Sequence, residues 1–492
     1  MLLLGLDLGT AGAHAVVIDE TGATVASASR EYATQSPRSG WVEQDPADWW
    51  RAVLQVLSRV ATDAREIGAI GLAGQHGSVF VDAAGTPVRP AILGSDRRAA
   101  SQAGHIVERL GAQRVIEISG TPALADHQAA VILWLRDVEP VQFRHTQRVL
   151  LPKDHVRLML TGEAATDVTD AAGTLLMDFR RRTWSREMLD PLEIAPEWMP
   201  PVHSSLEIAS GLRPSVARDL GLPPGLPVAG GASETAAAAV ATGIVTSGLI
   251  GSSIDSSGLL IATTTDAVVD PGGLLQTACD PSPQRYHLMG PTPSAGASLR
   301  WWRDVLGQRL DYAALCAQAE TVPPGADGLF FVPHVDGEGA RHGAVSRGAF
   351  VGLRAHHTQA DLTRALMEGV VLGLRNRLDV MRGLGIDAHQ VRAAGGGARS
   401  RLWRQMQADI FAVPVAAMSS APSPAVGAAL LAGVATGVFS DLAAASATVV
   451  RLGTVHEPDP ERVARYEQIY RTFSALDPAI RQPAAPRPTW PT

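Results

Sequence analysis

The 492-residue chain predicts an α/β protein built from two duplicated domains, on three observations. Its length exceeds one ordinary domain and is ample for two large cores. Strand-like and helix-like signals alternate along it, as in α/β folds. A hairpin with a small-residue turn between two strand-like runs occurs near the start and again in the second half, about 245 residues later, a spacing far longer than a solenoid repeat.

The first hairpin lies in MLLLGLDLGT and the residues that follow. Leu2 to Leu6, Ala15 to Ile18 and Ala23 to Ala28 read as strands, separated by Asp7-Leu8-Gly9-Thr10-Ala11-Gly12 and by Glu20-Thr21-Gly22, residue types suited to turns. In the second, Gly248 to Ile254 and Leu259 to Ala262 flank Asp255-Ser256-Ser257-Gly258. In GWVEQDPADWW, Asp45 is an N-cap, Pro46 the first helical residue and Asp48 an acid in the first turn, so a helix starts there. A long helix is predicted over 362–384, with Leu366, Val370, Leu374, Leu378 and Met381 at helical spacing. Val391 to Ala394 is a short strand, Gly395-Gly396-Gly397 breaks the chain, and another helix begins near Ser400. The Ala/Gly-rich run from Val426 to Phe439 is read as a buried helix, and DPAIRQPAAPRPTWPT as a frayed, proline-rich tail.

Composition excludes several classes. A net charge of −7 with scattered basic residues leaves no footprint for nucleic acid; the one tight basic run, Arg180-Arg181-Arg182, is read as a solvated turn. The apolar N-terminus meets Asp7 early and lacks a basic leader, so it is not read as a secretory signal. No stretch reaches the eighteen or so apolar residues of a membrane span. With Cys279 and Cys316 alone, neither a disulfide framework nor a cysteine metal site is expected, and the expected compartment is the cytoplasm.

VAGGASETAAAAV, residues 228–240, contains the most informative single residue. Glu234 is the only ionisable side chain between Asp219 and Asp255. Burying an unpaired charge costs several kcal/mol, so a carboxylate in such company is either a surface accident or a group placed for chemistry.

The segments GLDLGTAG (5–12), GWVEQDPADWW (40–50), GLAGQHG (71–77), RPAILGSDRR (89–98), LPKDHVRLMLTGEAATDVTDAAGTLL (151–176), VAGGASETAA (228–237), SAGASLRWWRD (294–304) and AAGGGARSRLWRQMQAD (393–409) resemble, in order, those of the FGGY carbohydrate kinases, and within them the xylulokinases. The resemblance implies two actin-like (ribonuclease H-like) domains with an interdomain active-site cleft: a sugar-binding domain over 1–242, a nucleotide-binding domain over 246–480, and a tail over 481–492.

It also implies the site. Glu234 falls at the position of the family's catalytic aspartate, the base that accepts the proton of the attacking sugar hydroxyl. Asp7 is a second catalytic group and the metal-associated residue, meeting Mg²⁺ through water. Gln75, His76 and Asp96 are expected sugar contacts. Gly9 and Thr10 in the first hairpin, with Asp255, Ser256, Ser257 and Gly258 in the second, are expected around the ATP phosphates, and Gly396, Gly397 and Ser400 at the adenosine. The chain departs from the family pattern at several points. Gln75-His76-Gly77 lacks the methionine of a Gln-Met-His-Gly run, and His14 stands where a basic residue is common. Asp255-Ser256-Ser257-Gly258 replaces Gly-Thr-Ser-Gly, and Gly337-Glu338-Gly339-Ala340-Arg341 replaces Gly-Glu-Arg-Thr-Pro.

The implied activity is ATP-dependent phosphorylation of a ketopentose, D-xylulose to D-xylulose 5-phosphate, with ATP and Mg²⁺. The alternatives are a kinase for another sugar or polyol, and a catalytically silent relative that binds sugar or nucleotide. The expected partner is a small-molecule sugar, with no nucleic acid and no membrane; a homodimer is left open.

Overall fold

A computed structural model describes the chain except residues 62–64, 309, 336–343, 346, 420–422, 481 and 484–492; for 344–345, 477–480 and 482–483 it describes the backbone alone. The segment Gly337 to Arg341 and most of the expected tail therefore lie outside the described residues; Gln482–Pro483 pair with Ala344–Val345. The chain divides into two compact units, the first formed by residues 1–246, 263–288 and 422–450, the second by 247–262, 289–421 and 451–492. Sequence alone suggested a single cut near 242–246, but 263–288 and 422–450 pack into the first unit. No described helix is long and apolar enough to cross a membrane.

The first unit is organised by a mixed sheet of β1 (Leu2–Leu8), β2 (Gly12–Ile18), β3 (Thr24–Glu31), β4 (Ile67–Gly74), β5 (Ile208–Gly211), β6 (Pro227–Ala229) and β7 (Ala232–Ser233). The order is β5-β6-β4-β1-β2-β3, with β7 also pairing with β4. Every residue of β1 is buried, Asp7 included, and the apolar run from Leu2 to Leu6 suits a central strand covered on both faces. The two faces follow the period of two. Leu2, Leu4, Leu6 and Leu8 share a core with Trp49, Val53, Val56 and Leu57 of helix α1 (Pro46–Val60), whereas Leu3 packs with the helix Pro424–Ala435. Asp45 caps α1 by accepting from Ala47 N–H.

The Pro424–Ala435 helix lies so close to the sheet that only glycine fits beneath it. A Cβ on Gly5 would stand 1.8 Å from the Ala425 carbonyl oxygen, and one on Gly71 the same 1.8 Å from that of Ala428. Across the helix, a Cβ on Gly427 would stand 1.9 Å from the Ala237 carbonyl oxygen. Gly71→Ala should therefore force the helix off the sheet and lower stability by about 2–4 kcal/mol, read as the midpoint of urea unfolding. An unchanged midpoint would show that the contact yields freely.

Three helices of this unit carry side chains used below: α2 (Pro152–Thr161), α3 (Val168–Ala172) and α4 (Glu234–Thr242). The run Arg180 to Arg182 forms the expected turn, with Arg180 and Arg181 exposed, but two of its side chains also bind a neighbouring segment. Arg180 donates to Ala267 O, and Arg182, in the left-handed region at φ 56°, donates to the carbonyls of Ser282 and Arg285 at 3.1 and 2.7 Å. The cluster clamps residues 263–288 in place.

In the second unit, β8 (Leu249–Ile254) forms a hairpin with β9 (Gly258–Thr264) and runs parallel to β10 (Gln390–Ala394), which pairs with β11 (Val415–Met418) and, through it, β12 (Leu452–His456). Helix α5 runs Gln359–Gly383, three residues earlier at its start than hydrophobic spacing gave, because Thr358 and Asp361 form a capping box ahead of the first apolar position. Helix α6, Arg401–Phe411, is capped by Ser400, whose hydroxyl accepts from Trp403 N–H.

Candidate active site

Strand register assembles the first unit's site. Asp7 pairs with Ala73 in the parallel β1–β4 ladder, and Ala73 with Ala232 of β7. One step on, Leu8, Gly74 and Ser233 stand in line, so the residues that follow, Gly9, Gln75 and Glu234, leave the sheet together at its C-terminal edge. His14 sits opposite Asp7 in the β1–β2 hairpin. Parallel strands ending at a common edge are where α/β sheets place ligand-handling groups.

Two carboxylates converge on the Gly9 turn. A Cβ on Gly9 would stand 3.7 Å from Asp7 Oδ2 and 4.0 Å from Glu234 Oε1. Asp7 is 4% exposed, and its Oδ1 is buried without a hydrogen-bond partner. Burial and then the Glu234 charge push the Asp7 carboxyl well above the ordinary range, and burial raises Glu234. Glu234 is the first residue of α4, where the helix dipole favours its anion and opposes that rise. Tyr32 donates its hydroxyl to Gly9 O and is itself pushed upward by burial and by both carboxylates.

A glutamine pair braces the turn. Gln44 Nε2 donates to Thr10 O at 2.8 Å, and Gln44 Oε1 accepts from Gln75 Nε2 at 2.9 Å and from Trp49 Nε1 at 2.8 Å. Gln75 N–H donates to Leu8 O. One of the two hydrogens on the Gln75 amide nitrogen is thus committed. Thr10 is exposed.

His76 keeps 37% of its side chain accessible but is crowded elsewhere: a Cβ on Gly173 would stand 2.1 Å from its Cε1. That crowding, followed by His127, lowers its basicity, so the ring is neutral at pH 7 and offers one donor and one acceptor. Its Nε2 lies 3.8 Å from Asp170 Oδ1, beyond hydrogen bonding.

Beneath these groups is an ionic cluster. Lys153 Nζ lies 2.8, 2.9 and 3.2 Å from Asp154, Asp167 and Asp170, all four side chains at most 1% exposed. Asp167 Oδ1 accepts from the Thr169 hydroxyl at 2.7 Å, and Thr169 Oγ1 accepts from Ser233 N–H at 2.8 Å. Ser233 is the N-cap of α4, its hydroxyl accepting from Ala236 N–H. Arg157 donates to Ala229 O and Gly230 O at 2.9 and 2.5 Å. The backbone leading to Glu234 is therefore held through Lys153 on one side and Arg157 on the other.

Asp96 does not join this group as a free acceptor, which corrects its expected sugar contact. It is 1% exposed, and its oxygens accept from Val42 N–H at 2.6 Å and from the Arg98 backbone and guanidinium at 2.7 to 3.0 Å. Arg98 in turn stacks 3.8 Å over Trp41. Asp96 orders that stack.

In the second unit, the parallel register pairs Ser253 with Ala394, so the 255–258 turn lies beside Gly395–Gly397. Asp255 Oδ1 accepts from Gly396 N–H at 2.8 Å, and its Oδ2 accepts from Ser253 Oγ at 2.8 Å. Ser256 Oγ accepts from Arg300 at 2.6 Å, and Ser257 is exposed. Gly258 and Gly397 are required by packing: a Cβ would stand 2.7 Å from Thr292 Cγ2 at the first, and 2.7 Å from Ile254 Cβ at the second. Gly397 is buried under Ile254 and Trp403, so unlike Gly395 and Gly396 it presents no open face. Sequence reasoning missed Tyr32, Gln44, the Lys153 cluster and Arg300. Arg300 and Lys153 lie within segments that carry the family resemblance, but nothing local states their partners.

Among the described residues, one histidine and carboxylate cluster lies elsewhere in this unit, at Asp327, His356 and His357. Arg354 N–H donates to His357 Nδ1, which puts the proton on Nε2 and turns a hydrogen, not a lone pair, toward Asp327. Asp327 Oδ2 lies 2.7 Å from His356 Nε2, a hydrogen bond, and 4.0 Å from His357 Nε2, beyond one.

The chain thus carries two α/β units, one with paired carboxylates at the edge of parallel strands and the other with a glycine turn beside a hairpin. Models of the N-terminal and C-terminal domains of the FGGY family of carbohydrate kinases match residues 2–241 and 251–436. The Escherichia coli K12 xylulose kinase is 35% identical over 480 residues, covering 96% of this chain and 98% of that one. The crystal structure of xylulose kinase from Rhodospirillum rubrum superposes with a TM-score of 0.91 at 31% identity, covering 97% and 99%. A gluconate kinase from Lactobacillus acidophilus superposes at 0.90 with 25% identity, covering 97% and 98%. The chain belongs to the FGGY family of carbohydrate kinases, and its fold is the two-domain α/β fold of those enzymes.

Proposed function

We propose that the protein is an ATP-dependent ketopentose kinase that converts D-xylulose to D-xylulose 5-phosphate. The observation that carries this reading is the pairing of Glu234 with Asp7 at the Gly9 turn. Full-length similarity to xylulose kinases supports the choice of sugar. In this reading Glu234 accepts the proton of the terminal hydroxyl as that oxygen attacks the γ-phosphorus of ATP and ADP departs. His76 and the Gln75 amide hold the other sugar hydroxyls. Phosphoryl transfer asks mainly for such positioning and charge neutralisation.

Mg²⁺ fits the first unit, because the unpartnered, buried Asp7 Oδ1 stands beside a second carboxylate. A cation there offsets the burial and the Glu234 repulsion that together raise Asp7. Bound with the nucleotide, it would supply neutralisation of phosphate charge. In the second unit, Arg300 offers a protein cation at Ser256.

A coupled assay of ATP with D-xylulose, D-ribulose, xylitol, glycerol and gluconate tests the proposal. The kcat/KM for D-xylulose should exceed the others by at least about tenfold, the discrimination a few pocket hydrogen bonds supply. Turnover dominated by another acceptor would reassign the sugar, and sugar binding by calorimetry without turnover would make the protein a silent relative.

A further inference from the structure

The Gly395 turn is an anion-binding backbone that already contains an anion. Gly395 has φ 77° and ψ −175°, a conformation open to glycine alone, and the Asp255 carboxylate lies directly on it: a Cβ there would stand 2.4 Å from Asp255 Oδ2. Gly396 N–H donates to Asp255 Oδ1 at 2.8 Å. The hydroxyl of Ser253 holds the second oxygen at 2.8 Å, and Gly296 N–H fixes the Asp255 carbonyl at 2.6 Å. A glycine amide that donates to a carboxylate lying against the preceding positive-φ glycine has the form of the backbone concavities that elsewhere receive phosphate. Here the anion is supplied by the protein, from the neighbouring hairpin.

We propose that Asp255 is a specificity-determining residue for the phosphoryl donor, an internal occupant of the Gly395–Gly396 concavity that a nucleotide phosphate must displace. The inference rests on the reading of this turn as part of the nucleotide site. Displacement has two parts: the carboxylate gives up the Gly396 N–H, and the displaced charge then stands close to phosphate charge. Both penalise a nucleotide in proportion to its uncompensated negative charge. Asp255 is exposed, so water screens the second part and the carboxylate can swing away. The effect is therefore a tax on donor affinity, not a block. The site should favour cation-complexed nucleotide over free nucleotide more steeply than it would with glycine at 255.

The test is calorimetric binding of ADP and of adenosine to the full-length protein, Asp255→Gly and Asp255→Asn, each with EDTA and with excess Mg²⁺, after thermal melting has checked that all three are folded. In EDTA, the glycine variant should bind ADP at least about tenfold more tightly than the wild type, while adenosine, which carries no phosphate, changes less than about threefold. Asparagine keeps an oxygen for Gly396 N–H and loses the charge, so it should fall between the two. With Mg²⁺ the wild type should recover most of the difference. Equal ADP affinities in the wild type and the glycine variant would overturn the inference while leaving the nucleotide reading intact. A glycine variant that binds ADP more weakly in Mg²⁺ would overturn it in favour of Asp255 as a cation ligand. Absence of ADP binding to every protein at millimolar concentration would overturn the nucleotide reading together with the inference.

Discussion

Replacing Glu234 by glutamine is expected to lower kcat by roughly 10²–10⁴-fold, the usual contribution of a positioned general base, while the dissociation constant for D-xylulose changes little. The amide keeps the shape and the N-terminal place on α4 but cannot accept a proton. Glutamate at this position is one methylene longer than the family's aspartate. The strand register and the Ser233 cap fix where its backbone starts, and the Gly9 turn leaves room for the longer reach. Glu234→Asp should therefore keep a working base and stay within about tenfold of the wild type, below the hundredfold that about an ångström of misplacement can cost. The pH profile separates base loss from distortion. Because burial raises Glu234, the acid limb of kcat/KM should lie above the value for a free glutamate, with activity falling as pH drops through that raised pKa. Glu234→Asp should retain such a limb and Glu234→Gln should lose it. A glutamine variant with most of the wild-type kcat would remove Glu234 from the chemistry.

The second large effect is expected at Lys153. Its ammonium is buried among three carboxylates, with the Arg157 guanidinium nearby. Burial alone would lower its pKa, but Asp154, Asp167 and Asp170 together raise it above the ordinary lysine range. A raised lysine contributes stability fully below its unfolded pKa and loses it only as pH rises through the folded one, so the contribution is constant through neutral pH. Lys153→Met leaves the carboxylates uncompensated and should cost about 3–5 kcal/mol, a loss of roughly 10 °C in Tm for a unit of this size. Adding Asp170→Asn to that variant removes one of the stranded charges and should restore part of the loss. Because Asp167 reaches Ser233 through Thr169, the surviving folded fraction should also show a lowered kcat. An unchanged Tm in Lys153→Met would mean that the carboxylates are reached by water or counter-ions.

Much of the fold was legible in the chain because its signals are local. The apolar run from Leu2 to Leu6, the Asp45-Pro46 helix start, the helical spacing from Leu366 to Met381 and the triple glycine after Ala394 each state their own conformation within a few residues. The isolation of Glu234 among small residues was legible for the same reason, since an unpaired carboxylate in apolar company demands an explanation wherever it occurs. What the sequence by itself determined was thus the element types and the two-domain α/β class.

The tertiary structure alone decided who faces whom. It joined Asp7 to Glu234 through the Ala73 register, gathered Asp154, Asp167 and Asp170 on Lys153, and returned residues 422–450 to the first unit over glycines that looked like ordinary strand residues. It also committed Asp96 to Arg98 and set Asp255 on the Gly395 turn. Charge pairing and close packing are contacts between residues distant in sequence, and a carboxylate reads the same in a sequence whether it faces substrate, an arginine or a glycine amide.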